Sequence, residues 1–513
     1  MATDDPEKRA LGREASIGFG EVDYANHNDA NLQTNGHRTE ISRQFNWISA
    51  LGFGFSITNS WVGCLSNFGQ NLVYGGPQVV VFGLLVAFVI QFIITAGLGE
   101  LASAFPSSGS QYHFCYVLSP GKNKRFSAFV VGCLSILAWW IVLCSGISLA
   151  TVSLSGIVNF WIPEYTATGW QIYTIYIGIS IFTMIPLFAV PRRISWVTQA
   201  VLYISLSGFV LFLVVSLAMS KNRQSVSFIV QSGLGTSGWG DGTAWVLGIT
   251  NAMYAFGGTD GGKRQFISEE IAQPGRRVPQ VMIMTMIISF ITSFSLLFAL
   301  MFCISDLHAV ASSQLPSMEL VYQATPNKGA TMFLGVWLWV VYIGSLPSQW
   351  ITSGRIAWAF ARDNTAPTAK FFTKIDSKLD LPVRATLATF IFVCLCGLLY
   401  LASTTAFNSI VNSSVLFLNI TYVVPQAILI FRRRCTALPP RYLNLGRFGY
   451  FCNIFSVLWI VVLGVFVCLS PTVPLDVNVM GYSSIVLVGL LATVILLSYV
   501  MGRKSFEGPT IID

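Results

Sequence analysis

Asp260 is the side chain whose position most suggests chemistry. It lies in Phe256-Gly257-Gly258-Thr259-Asp260-Gly261-Gly262, a run with four glycines in seven positions inside an apolar stretch. An acid in the hydrocarbon layer of a membrane costs about 2.5 to 3.5 kcal/mol on insertion scales, so one that is kept there is expected to bind something. The other apolar stretches carry no Lys or Arg at comparable depth. That leaves a proton, another cation or the cationic group of a substrate as the expected partner.

A second polar group interrupts the first apolar stretch, Gly52-Phe53-Gly54-Phe55-Ser56-Ile57-Thr58-Asn59-Ser60-Trp61-Val62-Gly63. Ser56, Thr58, Asn59 and Ser60 can offer hydroxyl, amide and freed backbone groups to a bound molecule, or can satisfy their own backbone instead. The first use is favoured, because so many polar side chains in one apolar stretch otherwise cost free energy. Aromatic faces that could hold a cation stand nearby in Trp61, Trp139, Trp140, Tyr254 and Phe256. Each could equally be a packing or lipid-facing ring. Trp139 and Trp140 point about 100° apart on a helix, so both can hardly face one site.

Enzyme chemistry finds little support. The four histidines, His27, His37, His113 and His308, form no cluster with Cys or acids. The ten cysteines lie mostly in apolar stretches and suit core packing, and Cys394 with Cys396 has no metal spacing. Neither a metal nor a cofactor is expected.

The elements that must position these residues follow from composition. Hydrophobic residues make up 54% of the 513 and charged ones only 10%, against roughly 25% charged in soluble domains. So few charges suit an exterior facing lipid, where backbone polar groups must be bonded internally and helices result. An all-α membrane protein is therefore expected. Stretches long enough to span a bilayer run approximately over 46–70, 77–99, 126–158, 170–190, 194–218, 243–262, 279–304, 330–354, 385–403, 408–431, 453–470 and 481–501. Residues 1–45 read as a polar, disordered cytosolic leader without a cleavable signal, and 502–513 as a cytosolic tail.

With twelve transmembrane helices, all of the 30 Lys and Arg residues except Lys221, Arg223 and Lys328 fall on one side. That bias places both termini in the cytosol. The net charge of +8 is thus spread along a membrane face, which argues against a nucleic-acid partner. Arg432-Arg433-Arg434 reads as a topology signal, with contact to anionic lipid as the alternative.

The first and sixth spans hold the two polar runs, and both should be broken. Four glycines, each about 1 kcal/mol worse than Ala in a helix, disfavour continuous winding near Asp260. Broken helices at matching places point to an inverted-repeat transporter, here 46–218 and 243–431 as a 5+5 pair followed by 453–501. The alternative is that the glycines merely let helices approach closely.

On these residues the chain resembles the fungal choline, GABA and amino-acid permease branch of the amino acid-polyamine-organocation (APC) superfamily, and most closely its choline permeases. The likeness covers about nine-tenths of the chain, from Phe45 to Phe506. It is strongest in Gly54-Phe55-Ser56-Ile57-Thr58-Asn59-Ser60-Trp61, in Gly99-Glu100-Leu101-Ala102-Ser103-Ala104-Phe105-Pro106-Ser107-Ser108-Gly109-Ser110-Gln111-Tyr112, in Trp358-Ala359-Phe360-Ala361-Arg362-Asp363 and in Leu399-Tyr400-Leu401-Ala402-Ser403-Thr404-Thr405-Ala406-Phe407.

The resemblance implies a leucine-transporter-like fold, a plasma-membrane location and uptake coupled to protons. By similarity, Ser56 to Trp61 match an unwound first helix and Phe256 to Asp260 a broken sixth. Glu269 and Glu270, with Pro274-Gly275-Arg276, match a loop that would act as a cytosolic gate. One departure is Gly261-Gly262-Lys263-Arg264-Gln265-Phe266-Ile267-Ser268, about two residues longer than in relatives, which shifts the helical phase leading to Glu269. The expected function is a proton-coupled importer of choline or a similar small amine. GABA or another amino acid is the alternative substrate, and a nutrient sensor that moves nothing is the alternative of another class.

Overall fold

The computed structural model describes residues 47–106, 110–121, 123–221, 223–260, 273–364, 367–376, 379, 381–402, 404–432, 434–474, 482–502 and 506–508. The leader, Glu269, Glu270 and the stretch Gly261 to Ser268 lie outside them. Among the described residues the chain is helical, with two isolated β-bridges and no longer strand. Apolar residues all round suit helices immersed in lipid, because every internal N–H and C=O pairs within its own segment.

Ten helical runs among the described residues are long and apolar enough to cross a membrane. The first is a 58-residue stretch, Trp47–Ala104, in which the sequence places two spans. It comprises α1 (Trp47–Thr58), α2 (Ser60–Gln78), a π turn at Val79–Gly83 and α3 (Leu84–Ala104). The backbone leaves helical geometry within α2 at Gly75 and Gly76, the latter at φ 70°. A short α4 (Ser110–Leu118) leads to α5 (Lys124–Trp161), α6 (Gly169–Ala189) and α7 (Ile194–Met219). The sixth expected span is the 12-residue α8 (Asp241–Ala252), too short to count among the ten because regular winding stops before the glycines.

After it come α9 (Pro274–Met301), α10 (Lys328–Arg362), α11 (Val383–Gly397), α12 (Thr404–Ile430), α13 (Gly446–Val467) and α14 (Ser483–Leu497). α10 runs on well past the expected end of its span, to Arg362.

The core gathers where α5 packs on α10 and α12, α3 on α9, and α8 on α2. Trp61, Trp139 and Trp350 are fully buried there, whereas α13 and α14 stand at the margin with most of their apolar surface open. An apolar exterior without protein cover is what a lipid-facing helix requires.

One sequence reading needs correction. Lipid contact, the alternative reading of the basic cluster, does not hold for Arg434, which is buried and ion-paired with Glu100 at the end of α3. Arg441 joins the same carboxylate at 2.6 Å. A guanidinium this far from water is held by its carboxylate and by the ring of Tyr450, 5.0 Å away.

Candidate functional site

Both expected breaks are present. α1 ends at Thr58 and α2 begins at Ser60, with Asn59 between them at φ 31° and ψ 52°. That left-handed geometry is one that Asn tolerates better than most residues. On the other side, α8 tightens into a 3-10 turn over Met253–Phe256, Gly257 is extended, and Gly258 sits at φ 73°. A Cβ at Gly258 would lie 3.1 Å from Ile57 and 3.2 Å from the Trp139 ring. Glycine is thus required there twice, for its backbone angle and for the close approach.

Asn59 knits its break to two neighbouring helices. Its Nδ2 donates to Ser345 Oγ of α10 at 3.0 Å, and its Oδ1 accepts from Ser205 Oγ of α7 at 2.8 Å. Ser205 in turn accepts from Trp61 Nε1 at 2.8 Å. A backbone turn buried among apolar helices keeps its shape only when such groups are paired.

A cavity of about 70 Å³ opens against both breaks. That is room for roughly five waters, or for a ligand of a few non-hydrogen atoms. Asn59 and Thr58 face it from the first break, and Tyr254, Gly257 and Gly258 from the second; α5, α10 and α12 close the other sides. No charged residue lines it among the described residues. The polar groups are hydroxyls and amides: Ser345, Gln349, Ser414 and the phenols of Tyr254 and Tyr342. Gln349 Oε1 and Ser414 Oγ make no hydrogen bond among the described residues, a cost of about 1 to 3 kcal/mol each that a ligand could recover.

Of the residues singled out from sequence, Thr58, Asn59, Tyr254, Gly257 and Gly258 therefore come together on one cavity. Ser56 does not; its hydroxyl bonds Phe53 O and Ser348 Oγ at 2.9 and 2.8 Å. Ser60 Oγ is buried without a hydrogen-bond partner among the described residues, and Trp61 packs on Phe212 of α7. Even Thr58 spends its hydroxyl largely on its own backbone, at Gly54 O and Phe55 O. The two tryptophans diverge as their helical spacing requires: Trp139 lies under Gly258, and Trp140 packs at a tilt against Phe392 of α11 with centroids 5.0 Å apart. Phe256 packs on Phe88, and Thr259 meets Thr95 across 3.4 Å.

Asp260 is buried beyond the cavity wall rather than on it. Its carboxylate receives Gln111 Nε2 from α4 and the Tyr422 hydroxyl from α12. The partner left open by the sequence is thus supplied in part by two neutral donors.

The family model for amino acid permeases matches residues 45–496. The chain belongs to the amino acid permease family. Similar proteins include the choline transporter of Saccharomyces cerevisiae, 31% identical over 91% of this chain and 83% of that protein. The 7-keto 8-aminopelargonic acid transporter of the same yeast is 25% identical over 88% and 93%. The swainsonine transporter of Arthroderma benhamiae is 24% identical over 92% and 93%. The relatives are transporters rather than enzymes, and the permease is a multi-pass membrane protein.

Residues that sequence reasoning passed over are Gly146, Tyr342, Ser345, Gln349 and Ser414. Gln349 carried a signal: with Ser345 and Ser348 it forms a polar patch in the apolar body of α10.

Proposed function

We propose that this permease is a secondary active transporter of the plasma membrane that imports choline or a similar small amine together with protons. The observation that carries this reading is the small uncharged cavity set against both helix breaks, with two tyrosines and unpaired acceptors on its walls. A quaternary ammonium asks for aromatic faces and partial negative charge, not for an obligatory salt bridge. The 31% identity to a choline transporter adds weight.

Twelve crossings are inferred. The run Trp47–Ala104 would be about 87 Å of helix at 1.5 Å per residue, against a hydrocarbon layer of about 30 Å, and its backbone turns at Gly75 and Gly76. It therefore supplies two crossings, and α8 with its turns supplies another. The bias of basic residues then puts both termini in the cytosol, and odd-numbered repeats over 46–218 and 243–431 insert with opposite sense. Asp260, buried beside the second break, is the group assigned to carry the proton, and Glu269 and Glu270 remain assigned to a cytosolic gate.

GABA or another amino acid is the second reading, favoured by one observation: α2 starts at the cavity, and a helix N-terminus suits a carboxylate.

The test is uptake of radiolabelled choline, ethanolamine, GABA and common amino acids by permease-deficient yeast expressing this chain. Choline accumulation that an uncoupler stops and sodium removal leaves intact is the expected result. Accumulation of an amino acid alone moves the assignment to the second reading, sodium dependence overturns the proton, and accumulation of none of the panel overturns the importer.

A further inference from the structure

Asp260 is not among the residues lining the cavity at the two breaks, yet both of its oxygens are held. Oδ2 accepts from Gln111 Nε2 and Oδ1 from the Tyr422 hydroxyl. Gln111 and Tyr422 are 1% and 0% exposed, and Asp260 is 4% exposed. Two neutral donors on two different helices, α4 and α12, thus converge on the carboxylate at the end of the second break.

This arrangement is built for the ionised acid. A carboxylate accepts at both oxygens, whereas a carboxylic acid must donate from one of them. When a proton adds to Asp260, the protonated oxygen becomes a donor and a much poorer acceptor, so the contact made there weakens or reverses. The Tyr422 hydroxyl can turn to accept, but Gln111 Nε2 has no lone pair and its amide must swing over.

The segment so affected is Gly257 to Asp260, which has no helical winding of its own. Its Gly257 and Gly258 form part of the cavity wall. Another group facing this region is the Thr95 hydroxyl on α3, bonded to Thr259 at 3.4 Å. Lys263 and Arg264 follow in the chain, outside the described residues.

We propose that Gln111 and Tyr422 are positioning residues that couple protonation of Asp260 to the shape of the cavity. While the acid is ionised, they tie the second break to α4 and α12; a proton releases one tie and lets the Gly257-Gly258 wall shift. The inference rests on the proton-coupled reading of the transporter and adds the device by which the proton is felt.

The test needs no knowledge of the substrate. Full-length protein in lipid nanodiscs is titrated while difference infrared spectroscopy follows the C=O stretch of protonated carboxylic acids, with Asp260→Asn identifying the band. Gln111→Met and Tyr422→Phe each remove one donor at nearly constant size. Each is expected to move the midpoint of that band to higher pH by about one unit, since a hydrogen bond to a charged group favours the charged form. Midpoints unchanged from wild type, in variants that keep its elution profile, overturn the inference, as does a carboxyl band that never titrates. The two substitutions sit on different helices, so one that fails to fold leaves the other to decide. Failure of the underlying reading looks different: uptake by wild-type cells would then persist with an uncoupler present, whatever the band does.

Discussion

Asn59 Nδ2 donates to Ser345 Oγ at 3.0 Å, joining the break of the first helical run to the middle of α10 across 286 residues of sequence. The same amide accepts from Ser205 on α7. Its side chain therefore fixes the position of the break, while its backbone, at φ 31°, makes the break possible.

These two duties can be separated. Asn59→Ala loses both hydrogen bonds and puts at φ 31° a residue that tolerates left-handed geometry less well than Asn, for a combined cost of about 2 to 4 kcal/mol. Asn59→Gly loses the hydrogen bonds and relieves the backbone. Thermal unfolding of the purified variants should rank wild type above Gly and Gly above Ala, with uptake lost in both. Equal stability of the two variants would remove the backbone from the account.

Gly258→Ala tests the second break in the same way. A methyl there meets Ile57 at 3.1 Å and Trp139 at 3.2 Å, in a backbone at φ 73°. Left-handed strain alone is about 1 to 2 kcal/mol, and the break can relieve it by opening away from α1. Uptake should fall at least tenfold with surface abundance near wild type, read by transport and surface biotinylation on the same cells. Trp139→Phe should restore part of the loss by making room.

The sequence made the breaks legible because their residue types are local: Gly258 and Asn59 adopt left-handed angles for reasons that neighbours in the chain reveal. The direction of each side chain was not local. Ser56 and Trp61 are a hydroxyl and an aromatic ring at a break, as expected of site residues, but they turn toward α10 and α7. Asp260 looked solitary because its donors lie 149 and 162 residues away. Gly146 looked like one small residue among many in α5, and only the packing of α10 against it gives it a place on the cavity.

Glu100 and Arg434 offer a test of fold rather than transport. Arg434 is paired with Glu100, and Arg441 reaches the same carboxylate at 2.6 Å. Removing one member of a buried ion pair strands the other charge and typically costs about 3 to 5 kcal/mol. Glu100→Gln leaves two guanidiniums facing a neutral amide, and its detergent-solubilised melting temperature should drop sharply. Converting Arg434 to Met as well should recover part of the drop, because one of the stranded charges is then gone. A double variant less stable than Glu100→Gln by the full cost of a second independent lesion would show that the two residues do not act as a pair.

The cavity itself is best tested from α5, where Gly146 leaves space that no hydrogen bond needs. A Cβ at this position would stand 2.5 Å from Gln349 Oε1 and 3.0 Å from Leu346 Cδ2, so Gln349 has to move, and it moves along the wall of the cavity. Gly146→Ala should therefore leave helix winding intact, since Ala favours a helix by about 1 kcal/mol over Gly, while narrowing the chamber. If the substrate binds there, KM for choline should rise about tenfold, equivalent to about 1.4 kcal/mol, with maximal uptake changed much less. Gly178→Ala on α6, where nothing lies within 4 Å of the added methyl, is the control and should match wild type. A KM that stays constant in Gly146→Ala would move substrate binding away from this cavity, because no other reading of the breaks leaves a filled chamber without effect on affinity.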